Sequence, residues 1–125
     1  MNKSLKLLLV STPVGPLGSG LGGGVELTVL NIATILQKRG HKITIVAPET
    51  SELESFLVVE ISGELQTYAQ TQNRHDPVIL PDNSVLTNLW NYAGEVADQY
   101  DIIVNFAYDW LPLFLTPFFK GKLIH

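Results

Sequence analysis

Three consecutive glycines, Gly22-Gly23-Gly24, stand directly before Val25-Glu26 and the start of an amphipathic run. Glycine has no Cβ to hold a ligand off the backbone, and the first amides of a helix lack intrahelical acceptors. Such a loop can therefore receive a phosphate on free N–H groups at the positive end of the helix dipole. A second set of polar and aromatic residues, Asn105, Tyr108, Asp109 and Trp110, follows the apolar run Ile102-Ile103-Val104. His75 lies in a polar stretch between them. Gly18, Gly20 and Gly23 also match G-x-G-x-x-G, with Glu49 placed where a ribose-binding acid could sit, so a stand-alone NAD-type dinucleotide-binding domain is the alternative reading. In that fingerprint, however, the first glycine follows the strand directly, whereas here Thr12 to Leu17 intervenes. No Gly-Lys-Ser/Thr of a Walker loop occurs.

The elements that must position these residues follow from periodicity. Leu5 to Val10 is nearly continuous in apolar residues, as a central parallel strand requires. Ser11 to Gly24 holds two prolines and six glycines, too many for a regular element, and is a long loop. Val25, Val29, Ile32, Ala33 and Leu36 fall on one helical stripe, ended by Gly40 behind Lys38 and Arg39. Lys42 to Ala47 is a β-branched strand stopped by Pro48, which completes a right-handed βαβ unit. Phe56 to Ile61 gives a third strand. Ser62 to Asp82, with Gln70, Gln72, Asn73, Arg74 and His75, has no period and reads as a loop. Asp82 or Ser84 can cap a second helix bearing Leu86, Leu89, Trp90, Ala93, Val96, Ala97 and Tyr100 on its apolar side. Ile102 to Val104 is a strand, Leu111 to Phe119 a short proline-interrupted helix, and Leu123-Ile124 the opening of one more strand, expected to continue in a longer polypeptide. The order predicts an α/β, Rossmann-like, doubly wound, mostly parallel sheet with helices on both faces. Ligands of such sheets sit beyond the carboxyl ends of the strands, where the loops Ser11 to Gly24 and Asn105 to Trp110 emerge.

Composition narrows the function classes. At 125 residues the chain fits one domain, and 46% hydrophobic with 16% charged residues excludes disorder. The net charge is −4 and the basic residues are scattered, so nucleic acid has no basic stripe to bind. Without cysteine, thiol catalysis and thiolate metal sites are excluded, and a cytoplasmic setting is compatible. The apolar stretch Trp110 to Phe119 contains two prolines and reaches about half the length of a bilayer crossing. A response-regulator-like domain would need an acidic cluster after its first strand, where Ser11-Thr12-Pro13 stands instead.

Leu8-Leu9-Val10, the glycine loop with Gly23-Gly24-Val25-Glu26, a helix, Arg39-Gly40-His41 and the strand Lys42 to Pro48 resemble the opening of family 4 glycosyltransferases of the GT-B fold. Tyr108-Asp109-Trp110 resembles the Asp-Trp segment many of these enzymes carry behind the corresponding strand. Within the family, Ser11 to Gly20, the triple glycine and Asp109-Trp110-Leu111-Pro112 look most like the cyanobacterial members that transfer glucose from UDP-glucose to tetrahydrobiopterin. The resemblance spans the chain, most closely at residues 5–48 and 101–119. It implies that residues 1–125 are the acceptor-binding N-terminal Rossmann-like domain of a retaining enzyme. The nucleotide-sugar site would lie mostly on a C-terminal domain outside this sequence, leaving the fragment inactive alone. It further implies that Gly22, Gly23 and Gly24 approach the donor sugar and diphosphate. Glu26, His75, Asn105, Tyr108 and Trp110 would bind the acceptor, and Asp109 would partner its hydroxyl. The nucleotide sugar is a co-substrate; no metal or other cofactor is implied.

Each residue also has a plainer reading. Glu26 can simply complement a helix dipole, and Asp109 can cap the short helix. Tyr108 and Trp110 can belong to the core beside Leu111 and Phe114. His41, after the helix-ending glycine, is expected to be structural, and His75 to be solvated. Leu113-Phe114-Leu115 and Phe118-Phe119 are expected inside, with a domain or homo-oligomer interface as the other way to bury them.

Overall fold

A computed structural model of the chain describes residues 3–66, 75 and 81–125; Gln70, Gln72, Asn73 and Arg74 lie outside the described residues. The apolar runs form five strands, β1 (Lys6–Val10), β2 (Lys42–Pro48), β3 (Leu57–Ile61), β4 (Ile102–Asn105) and β5 (Leu123–Ile124). They make one sheet in the order β3-β2-β1-β4-β5, and every pairing is parallel, so the sheet expected to be mostly parallel is wholly so. Its centre is β1, whose Val10 lies opposite Val46 of β2 on one side and Asn105 of β4 on the other.

Alternate residues of β1 feed two cores, as the period of two demands. Leu7 and Leu9 pack with Val29 and Ala33 of helix α1 (Gly24–Lys38). Leu8 and Val10 pack with Leu86, Leu89 and Trp90 of helix α2 (Val85–Val96), and Leu111 and Leu115 of helix α3 (Trp110–Leu115) join that side. Helices thus cover both faces, which makes this an α/β Rossmann-like protein. The chain leaves β1 for one face and its neighbour β4 for the other. Their loops diverge there, at the switch point where doubly wound sheets open a crevice.

The helix ends explain the local shape. Gly40, at φ +91°, closes α1: its N–H donates to Gln37 O at 3.0 Å and that of His41 to Leu36 O at 3.2 Å, a Schellman closure. His41 Nδ1 then accepts from Leu5 N at 3.1 Å and so pins the start of β1, a structural role as expected. Ser84 occupies the N-cap of α2, but its side chain makes no capping bond. The Val85 N–H donates instead to Glu64 O at 3.0 Å, and Glu64 N to Asn83 O at 2.7 Å, so the backbone after β3 does the capping.

The segment after Asp109 corrects one expectation. Leu113, Phe114 and Phe118 are 58%, 68% and 72% exposed, not interior. Leu111, Leu115 and Phe119, spaced four apart, pack against the α2 side of the sheet, and the last turn, Thr116–Phe119, is a 3-10 turn. Phe119 stands edge-on to Trp90, with centroids 5.7 Å apart.

Candidate functional site

At the carboxyl end of β4 a cavity of about 580 Å³ is lined by Asn105, Phe106, Ala107, Tyr108, Asp109, Trp110, Leu113 and His125. Four of the residues singled out in the sequence therefore share one cleft. Its floor is set by Asn105, which is buried at the last position of β4. Asn105 Oδ1 accepts from Ala107 N at 2.8 Å and Nδ2 donates to Ala107 O at 3.0 Å, which tightens the turn and fixes which way the amide faces. Nδ2 also meets His125 Nδ1 at 3.0 Å. The amide can only donate there, so Nδ1 is the acceptor nitrogen of the ring. The network thus assigns the ring hydrogen to Nε2, which donates to Thr116 Oγ1 at 2.7 Å, and the Thr116 hydroxyl in turn donates to Leu113 O at 2.7 Å.

Asp109 is the N-cap of α3: its Oδ1 accepts from Trp110 N at 2.8 Å. Its Oδ2 accepts from Gln66 Nε2 at 3.0 Å, and Gln66 N donates to Pro13 O at 2.9 Å. The loops after β1, β3 and β4 are thereby tied together at the strand ends. Capping and a place in the cleft coincide at Asp109, with lone pairs remaining on both oxygens.

Tyr108 and Trp110 are not core residues. Tyr108 is fully exposed and Trp110 is 54% exposed, its ring edge-on to Phe114 at 6.2 Å. The turn at Ala107 and the cap at Asp109 throw both side chains outward. This corrects the reading that would have buried them.

The glycine loop is arranged differently. Glu26 turns back into it, its Oε1 accepting from Gly18 N at 2.7 Å and its Oε2 from Gly22 N at 3.0 Å. The Gly23 N–H donates to Gly20 O at 3.2 Å. Two of the three glycine amides expected to face a donor are thus engaged within the loop, and Glu26 does not reach the cleft around Tyr108. Gly18, Gly20 and Gly23 all have positive φ, so their spacing serves tight turns. The base of the loop is firm: Leu17 is buried, its N–H donates to Ser51 Oγ at 2.8 Å, and its carbonyl accepts from Glu52 N at 3.1 Å. His75 is exposed in a turn and is not among the residues lining the cleft.

Gln66 and His125 were not singled out by the sequence reading. His125 follows β5, the strand beside β4, so the rule that ligands meet strand carboxyl ends marks its position once that pairing is known. Gln66 carries no such signal, because its partner is 43 residues away.

Among the described residues no group of three or more His, Cys, Asp or Glu side chains could hold a metal ion, and no helix is long and apolar enough to cross a membrane. No protein-family model matches the chain, and no curated protein matches it significantly. Fold and cleft define its class: an α/β Rossmann-like protein with an aromatic cleft at the carboxyl ends of β4 and β5.

Proposed function

We propose that this chain is the acceptor-binding half of a retaining GT-B glycosyltransferase that moves glucose from UDP-glucose to a small flat acceptor, a pterin such as tetrahydrobiopterin. The observation that carries this reading is the cleft itself, where outward-facing Tyr108 and Trp110 flank the fixed carboxylate of Asp109. The aromatic faces suit stacking on a fused heterocycle, and the Asp109 carboxylate, aligned by Gln66 and the helix cap, suits an acceptor hydroxyl. Gly22 to Gly24 stand on the neighbouring loop, the side from which a donor diphosphate would arrive. The donor would be held mainly by a second, nucleotide-binding domain. Departure of the diphosphate is then favoured by fixed dipoles and charges rather than by a protein nucleophile.

Titration of the protein with tetrahydrobiopterin, followed by isothermal calorimetry, tests this. Saturable binding that Asp109→Ala weakens is the expected result. Heat indistinguishable from dilution would remove the pterin, and NAD binding weakened by Glu49→Ala would replace the reading by a dinucleotide-binding one.

A further inference from the structure

We infer that Glu26 is the glycine loop's own ligand: its carboxylate bridges the Gly18 and Gly22 amides and holds the loop shut, so any external anion reaching both amides must first displace it. This rests on the proposed role of the loop only for its consequence, not for its geometry.

Both carboxylate oxygens are used, one per amide, at 2.7 Å to Gly18 N and 3.0 Å to Gly22 N. Two amides four residues apart converge on a single charged group, each through its own charge-assisted hydrogen bond. The convergence needs glycine. Gly18 has φ +90° with Glu52 O 3.1 Å from where a Cβ would stand, and a Cβ on Gly22 would lie 2.9 Å from Glu26 Cγ. The rest of the segment leaves little other freedom. Leu17 is anchored to Ser51 and Glu52 on one side, and Val25 N donates to Gly22 O at 3.3 Å on the other, so the loop hangs between two fixed ends with the carboxylate closing its middle. Glu26 stands in the first turn of α1, and the dipole that favours its charge there favours equally any anion that takes its place. Glu26 is therefore a positioning residue for the loop, and the contact is self-inhibitory: a phosphate approaching these two amides competes with a tethered carboxylate.

Backbone amide exchange read by NMR tests this without donor or acceptor, so its outcome is independent of the proposed enzyme activity. In Glu26→Ala the Gly18 and Gly22 amides should exchange roughly tenfold faster than in the parent protein, as expected when charge-assisted bonds are lost. Added sodium formate should restore their protection in the variant and leave the parent unchanged, with sodium chloride at equal ionic strength as control. The β1 amides of Leu8 and Leu9 report whether the fold is kept. If Glu26→Ala loses them too, Glu26→Gln decides: a carboxamide offers one oxygen, so one of the two glycine amides should lose protection. Unchanged exchange at both glycines in the folded variant, or loss that formate does not reverse, would overturn the inference.

Discussion

Gln66 joins two loops through one side chain and its own backbone: Nε2 donates to Asp109 Oδ2 at 3.0 Å while the main-chain N–H donates to Pro13 O at 2.9 Å. Asp109 is therefore held from two directions, by this amide and by the Trp110 N–H it caps. Asp109→Ala removes both bonds and should lower stability by about 1–2 kcal/mol. Gln66→Ala removes one and should cost about 0.5–1 kcal/mol. If the two act as a pair, the double variant will lose less than the sum, by about 0.5 kcal/mol or more in a double-mutant cycle from urea denaturation. Strict additivity would mean that Gln66 does not position Asp109.

Gly63 should tolerate no side chain. It has φ +146°, and a Cβ there would lie 2.7 Å from both the N and Cα of Val85, the first residue of α2. Backbone cannot move aside as a flexible side chain can, and this contact is where Glu64 supplies the cap of the helix. Gly63→Ala is expected to destabilise by about 2–3 kcal/mol. Gly94→Ala, on α2 with nothing within 4 Å of its Cβ position, should stabilise slightly through helix propensity. Thermal melts of the two variants should therefore shift in opposite directions.

Tyr92 predicts an alkaline effect. Burial, with smaller contributions from Tyr100 and Glu95, raises its pKa above the ordinary 10.0. As pH climbs past 10.0 the unfolded chain releases this proton before the folded protein does, so the group's contribution to stability is full below that pH and declines above it. Tyr92→Phe should flatten the fall in stability on the alkaline side and leave the curve between pH 6 and 8, well below the ordinary tyrosine range, unchanged in slope. An equal alkaline slope in both proteins would assign the effect elsewhere.

The strands and long helices were legible in the sequence because burial writes them there. Leu7 to Val10 had to be apolar on both faces, and the stripe Val29–Ala33 had to meet them. Gly40 announced the end of α1 because that closure demands a positive φ. What the sequence hid were contacts between residues distant in the chain. The tie from Gln66 to Asp109 and the contact of Asn105 with His125 depend on which loops the sheet order brings together, and no local period encodes that. The glycine loop hid a local contact as well. The same amides that suit a phosphate suit a carboxylate, and spacing alone does not reveal that Glu26, four residues after Gly22, supplies one. The aromatic run was misread because apolar content alone was taken for burial: a short helix on one face of a sheet turns only one side inward, that of Leu111, Leu115 and Phe119, and leaves Leu113, Phe114 and Phe118 outside.

The two tryptophans offer the sharpest contrast between fold and site, since the chain has only these two. Trp90 is 2% exposed, packed edge-on against Phe119, whereas Trp110 is 54% exposed at the mouth of the cleft. Trp90→Ala should cost about 3–5 kcal/mol, the loss expected for a buried aromatic in a core that cannot collapse. Trp110→Ala removes a half-exposed ring and should change stability by about 0.5 kcal/mol or less. Fluorescence separates them further: acrylamide should quench Trp110 and spare Trp90. If the cleft stacks a flat heterocycle, a pterin should shield Trp110 from acrylamide in proportion to its binding, and the shielding should weaken in Tyr108→Ala, which keeps the reporter and removes the other exposed ring. Saturating pterin that leaves the quenching of Trp110 unchanged would remove the ligand from the cleft.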